Sequence, residues 1–160
     1  MGKYVLCLYK LESLSKILSL IEEDDLHEPL EINPHCTILP KALGSISTSK
    51  IEALLKDKNL DFNDHFMTNV SYFDNEKYDV LKFDLSGKSL FELNKILRNN
   101  FEHSNDFNTF NPHLTMCYLK KGKVQKYLEV FKTLCKNPIP LSFKGLVLSV
   151  DYNETPINVG

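Results

Sequence analysis

One pentapeptide occurs twice in this chain. Asn33-Pro34-His35-Cys36-Thr37 and Asn111-Pro112-His113-Leu114-Thr115 both read Asn-Pro-His-x-Thr, 78 positions apart, and both run on into apolar residues. Proline biases the residue before it towards extended geometry, and the run that follows each motif reads as a strand. In a strand, residues i and i+2 point to the same face. Each copy therefore presents an imidazole and a hydroxyl side by side, with Cys36 or Leu114 turned the other way.

The order of elements around the motif repeats as well. Tyr4 to Tyr9 is a short apolar strand, and Leu14, Ile17, Leu18 and Ile21 have the spacing of a helix over 13–23. The first motif strand follows from about Leu30 to Leu39, then a polar turn over 41–47. A helix over 48–57 comes next, capped by Thr48 or Ser49, and then a half-buried strand between Asp61 and Phe73. After a turn at Asp74-Asn75 the series restarts with a strand over Tyr78–Leu85 and a turn at Ser86-Gly87. Ser89 caps a helix bearing Leu90, Leu93, Ile96 and Leu97, and an Asn105–Phe110 loop leads to the second motif strand. A Lys120–Lys123 turn, a helix bearing Val124, Tyr127, Leu128, Phe131 and Leu134, and a strand over Leu141–Val150 complete the copy, with 151–160 as a polar tail. Shifted by 78, helix 13–23 falls on 91–101, helix 48–57 on 126–135, and strand 62–72 on 140–150. Two copies are too few for a solenoid. They predict one domain over 1–160 with two α+β lobes, approximately 1–73 and 78–150, related by a pseudo-two-fold axis. That axis brings the motif strands together at one cleft.

Composition narrows the function classes. A net charge of −2 lacks the basic excess of a protein that grips long nucleic acid by its phosphates, but it permits a small anionic ligand. Arg98 is the single arginine, so a bidentate arginine clamp on phosphate is nearly excluded. Cys7, Cys36, Cys117 and Cys135 form no C-x-x-C and no zinc-type spacing, and all sit in apolar segments as buried thiols would. With no apolar run of membrane-spanning length and no leader-like start, the expected setting is reducing and cytoplasmic.

Histidine is the side chain whose ordinary pKa lies near neutrality. Two imidazoles facing one substrate can act as general base and general acid, which suits cleavage of a phosphodiester. The neighbouring hydroxyls of Thr37 and Thr115 can hydrogen-bond non-bridging oxygens as charge gathers there. This chemistry needs no metal or other cofactor, and the sequence offers no obvious carboxylate cluster to hold one. A single His-x-Thr is usually structural, but its recurrence at equivalent places in a repeated order is harder to explain that way.

The paired motifs, each followed by an apolar residue (Ile38, Met116), resemble those of the 2H phosphoesterases, and the resemblance covers nearly the whole chain. It implies a two-lobed α+β fold with antiparallel sheets, helices outside and a central cleft. It also implies metal-independent action on cyclic or 2′,5′-linked phosphodiesters, with His35, Thr37, His113 and Thr115 as the catalytic tetrad. The bacterial RNA ligase/cyclic phosphodiesterase branch commonly has an arginine shortly after the second motif, where this chain has Tyr118. The run from Phe110 to Tyr118, the small size and the Lys/Asn-rich composition look more like the phage anti-CBASS phosphodiesterases, which degrade cyclic oligonucleotide signals. The expected partner is a small cyclic or 2′,5′-linked oligonucleotide. Enzymes acting on 2′,3′-cyclic phosphate RNA ends, and a sequestering module that binds without cleaving, are the rival readings.

Substrate contacts are less legible. Tyr9 and Tyr118 are candidates for base stacking, as are Tyr72, Phe73 and Phe110, although each position also suits a core. Strict alternation turns Tyr118 away from the imidazoles. Lys120, with Lys121 and Lys123, forms a basic turn placed to steer an anion or simply to be solvated. His27, His65 and His103 match no motif and read as surface or structural. Asp151–Glu154 reads as a frayed end, with a lid as the alternative.

Overall fold

The computed structural model describes residues 2–30, 33–104 and 109–159. Among them, eight strands form one antiparallel sheet in the order β6-β3-β4-β5-β2-β1-β7-β8. The strands are β1 (Lys3–Tyr9), β2 (His35–Ala42), β3 (Phe66–Asp74), β4 (Tyr78–Ser86), β5 (His113–Lys120), β6 (Ile139–Pro140), β7 (Phe143–Val150) and β8 (Asn153–Ile157). The helices are α1 (Ser15–Leu18), α2 (Thr48–Leu55), α3 (Lys88–Asn100) and α4 (Val124–Leu134). None of the described helices is long and apolar enough to cross a membrane.

The strand order reads as two sets of four meeting at β5 and β2. These sets are not the sequence halves 1–73 and 78–150. β3 from the first half pairs with β4, and β7 from the second half pairs with β1. Each half-chain thus gives strands to the other side of the sheet, β3 from the first and β7 with β8 from the second.

Helices cover one face. Leu90, Leu93, Asn94 and Leu97 on α3, and Val124, Tyr127, Leu128 and Phe131 on α4, repeat at i, i+3, i+4, i+7 and are all buried. α3 packs on β2, α4 on β3 and α2 on β8. Beneath them lie the inward residues of the sheet, among them Cys36, Ile38, Leu114, Met116 and Phe83, in the main core. Each fully buried leucine there contributes about 2 kcal/mol of apolar burial.

Four expectations change. Ser89 does not cap α3: Gly87 stands at the N-cap, and the Ser89 hydroxyl donates to Asp64 Oδ1. The helix over 13–23 shrinks to the four residues of α1, flanked by 3-10 turns at Leu11–Leu14 and Glu23–Asp25. Ser15 and Ser19 hydroxyls donate to the carbonyls of Glu12 and Lys16, and such local bonds compete with helix propagation. The chain then leaves the helix axis because Asp25 is held on α4, where Tyr127 Oη donates to Asp25 Oδ2 at 2.6 Å and Lys126 pairs with it. The cap of α2 is Ser47, whose hydroxyl accepts from Lys50 N–H, and neither Thr48 nor Ser49. The expected polar tail contains a strand: Asp151 and Tyr152, at φ 50° and 70°, make a two-residue reversal that folds β8 back on β7. Of the expected 105–110 loop, residues 105–108 lie outside the described residues, as do residues 31 and 32 before the first motif and the final residue of the tail.

One polar network sits inside the core. His65 is 1% exposed; Nδ1 lies 2.9 Å from Tyr9 Oη and Nε2 2.6 Å from Ser89 Oγ, which donates to Asp64 Oδ1 at 2.8 Å. Because the serine proton goes to Asp64, Nε2–H donates to Ser89 and Nδ1 accepts from Tyr9, so the ring is neutral. Burial lowers the His65 pKa below its ordinary 6.5, against the opposing pull of Asp64 and Asp61. The unfolded chain therefore takes up a proton at higher pH than the native state does. Stability from this group is complete above about pH 6.5 and is lost as pH falls through the lower folded value. The urea midpoint should fall between about pH 7.5 and about pH 5, and His65→Gln, measured in the same way, should flatten that fall.

Candidate active site

The opposite face of the sheet carries the motifs. β2 and β5 have matching burial patterns over their first six residues: His and Thr half-buried, the residues between and after them buried. The two strands run antiparallel and pair at Cys36–Leu114. One step either way, this register sets His35 opposite Thr115 and Thr37 opposite His113. Cross-strand neighbours have Cβ atoms roughly 5 Å apart and diagonal ones roughly 7–8 Å. By these spacings the register sets the four Cβ atoms at the corners of a rough square, with the histidines on one diagonal.

Both copies build the square with the same local bonds. His35 Nδ1 donates to Asn33 O, and His113 Nδ1 donates to Asn111 O, each at 3.0 Å. Each bond fixes the tautomer in which Nε2 is the basic nitrogen. The proline carbonyls are also used alike: Pro34 O accepts from Tyr9 N–H at 3.1 Å, and Pro112 O from Leu85 N–H at 2.9 Å. The Asn-Pro pair thus supplies one carbonyl to orient the ring and a second to join the neighbouring strand.

A β-bulge follows each motif. Val5 pairs with Leu39 and Leu6 with Thr37, which leaves Ile38 as the extra residue; Leu81 pairs with Cys117 and Lys82 with Thr115, which leaves Met116 extra. The bulge reverses the side-chain phase. Cys117 enters the core, and Tyr118 joins the face of the imidazoles instead of turning away. In β2, the carbonyl of the bulged Ile38 accepts from Asn94 Nδ2 of α3 at 2.8 Å.

The flanks of the square differ. On the β5 side, β4 places Asp84 opposite His113 and Lys82 opposite Thr115. Phe73 of β3 lies edge-on to the His113 ring, centroids 5.5 Å apart, with Lys82 Nζ 4.8 Å from its own centroid. On the β2 side, β1 places Leu8 opposite His35 and Leu6 opposite Thr37, in a small apolar cluster with Val147 and Tyr4. Asn33 Nδ2 donates to Glu154 Oε1 at 3.1 Å, tying β8 to the first motif.

Of the expected contacts, the four motif residues share this face and Tyr118 joins them three residues beyond Thr115, its ring 5.5 Å from Tyr78. Tyr9 does not: it is 1% exposed on the core side and bonded to His65, because Leu8 takes the open-face position next to it. Lys120 stands at the far end of β5, about 15 Å along the strand from Thr115, with Nζ donating to Asp24 O. Lys82, Asp84 and Ser71 were missed; the alternation in Lys82-Phe83-Asp84 marks the face but not its neighbours. Depressions lined by Ala53, Leu54, Lys95 and Ile96, and by Glu52, Lys56 and Asn158, lie on the helical layer, away from the histidines. Among the described residues, no three His, Cys, Asp or Glu side chains converge as a metal-ligand set.

Searched against models of known families the chain matches none, and no curated protein matches it. Tyr9→Phe tests the core placement. It should lower stability by about 1–3 kcal/mol, through the lost bond to buried His65, as thermal melts read it.

Proposed function

We propose that this protein is a metal-independent phosphodiesterase of the 2H type, with His35 and His113 as general base and general acid. What carries the reading is the antiparallel register at Cys36–Leu114, which faces two His-x-Thr units with the same Nδ1–carbonyl bond in each. With Nδ1 committed to a backbone carbonyl, Nε2 is the atom that exchanges a proton with substrate. One imidazole removes the proton of the attacking hydroxyl or water while the other protonates the leaving oxygen. The threonine hydroxyls donate to the non-bridging oxygens as negative charge builds. The strand order, the paired bulges and the matched motif bonds also support a pseudo-two-fold repeat of the 2H kind.

The substrate we infer is a small cyclic or 2′,5′-linked oligonucleotide: the free hydroxyl beside the phosphate (2′ at a 3′,5′ linkage, 3′ at a 2′,5′ linkage) attacks phosphorus, the bond to the 5′-oxygen breaks, and a cyclic substrate opens to a linear product. The resemblance to anti-CBASS phosphodiesterases favours a cyclic oligonucleotide defence signal. An open sheet face flanked by Tyr118, Phe73 and Lys82 suits such a ligand better than a long duplex, which the net charge of −2 also disfavours.

Incubation with cyclic dinucleotides, 2′,5′-oligoadenylates and RNA ending in 2′,3′-cyclic phosphate, followed by chromatography, ranks the substrates. His35→Ala and His113→Ala should each lower turnover by about 10²–10⁴-fold. Thr37→Val and Thr115→Val should each cost about 10–10²-fold, and EDTA should change nothing. Full activity in either histidine variant would exclude the two-histidine mechanism, and recovery of intact ligand throughout would identify a binder.

A further inference from the structure

Lys82 is a cation set into the middle of a sheet. Its side chain is 13% exposed, Nζ donates to Ser71 Oγ at 2.7 Å and to Asp84 Oδ1 at 2.8 Å, and the Phe73 ring lies over it. Asp84 is itself saturated with donors: Asn69 Nδ2 on Oδ2, and Ser71 Oγ together with Lys82 on Oδ1. Strand order puts Ser71 on one side of Lys82 and Thr115 on the other.

Leu6 occupies the position beside Thr37 that Lys82 occupies beside Thr115, and there an aliphatic side chain suffices. Withdrawing an ammonium from water is costly, and a partly buried ion pair is weak support for a native state. The same group next to a site for a phosphodiester has an electrostatic use. Two other basic groups are poorly placed for that use: Lys120 is tied to Asp24 O, and Arg98 bonds His103 on the helical side.

We propose that Lys82 binds a phosphate of the substrate beside Thr115, with Ser71, Asp84 and Phe73 holding its ammonium in position; the inference rests on the phosphodiesterase reading of the tetrad. An ammonium has three N–H donors, and Ser71 and Asp84 take two, so a phosphate oxygen adds on the Thr115 side without breaking either bond. A cation on the β4 flank, against the Leu6 and Leu8 that β1 sets on the other, also breaks the near-symmetry of the square. One phosphate of the substrate is then drawn to the β4 side, beside Lys82 and Thr115.

The test combines turnover with binding. Kd for cyclic di-adenosine monophosphate is measured by calorimetry in the His35→Ala background, with and without Lys82→Met, Lys82→Gln and Lys82→Arg, at low and high salt. KM and kcat are measured for the same Lys82 variants with His35 intact, and thermal melts verify folding. The expected result is roughly tenfold weaker binding and higher KM for Met and Gln, a shallower loss of affinity with salt, and recovery with Arg. Turnover by the parent protein with Kd, KM and salt response unmoved in folded Lys82 variants overturns this inference and leaves the phosphodiesterase reading standing. Absence of turnover with Lys82-dependent binding rejects the enzyme reading and keeps Lys82 as a ligand site. Absence of both binding and turnover across the nucleotide panel removes both.

Discussion

A single ladder pair, Cys36 against Leu114, closes the seam between the two four-stranded sets of the sheet. Everything at the open face depends on that register. The side-chain period of a strand is two, so a slip of one residue would bury one His-Thr pair and expose Cys36 or Leu114 in its place. The seam is defended from below. Cys36, Ile38, Leu114 and Met116 are all at most 2% exposed, and a slip would exchange them for imidazoles and hydroxyls without partners in the core. Burial on one face thus fixes the geometry on the other.

The two bulges show how the repeat builds a site and not merely a sheet. Each adds one residue immediately after a motif threonine, at Ile38 and Met116. Bulges increase local twist and re-aim the side chains beyond them. Before the bulge the face presents His and Thr; after it, Pro40 and Tyr118 take the open positions. Asn94 then satisfies the carbonyl that the first bulge leaves outside the ladder, so α3 fixes the motif strand by a polar bond as well as by apolar contact. A buried amide would be costly there without that partner.

Much of this was legible in the residues. The repeated Asn-Pro-His-x-Thr and the helical spacing of α3 and α4 are strong patterns, and the structure keeps them. Tyr118 was misread because alternation was carried through a bulge that no residue type announces. Tyr9 was misread for a related reason: YVLCLY is apolar on both faces, so parity alone could not separate Leu8 from Tyr9. β8 escaped notice because its turn, Asp151-Tyr152, lacks the glycine that usually marks a two-residue reversal. Helix 13–23 had the right apolar spacing, but Ser15 and Ser19 draw carbonyls into local bonds, and Asp25 is held by Tyr127 and Lys126, far away in sequence. Lys82 and Asp84 are ordinary charged residues of an alternating strand until β5 and β3 are set beside them. Contacts of that kind are made by strand order, which local patterns do not encode.

The exchange of strands between the half-chains has a consequence for when the paired histidines meet. β1 pairs with β7 over Lys3–Val150, and β3 pairs with β4 while β6 adds to its outer edge. Neither half-chain can complete its share of the sheet until the other is present, so a cut between 74 and 78 would yield two incomplete sheets and not two lobes. Contacts this distant in sequence make the fold slow to close and cooperative once closed. The tetrad inherits that property. His35 and His113 take up their tautomers from short-range carbonyl bonds that each half can form alone. Their position across one square, however, exists only when the whole sheet does. The proposed chemistry, with two imidazoles at one phosphate, would thereby be confined to the folded chain, and the exchanged strands link completion of the fold to the meeting of the two motifs.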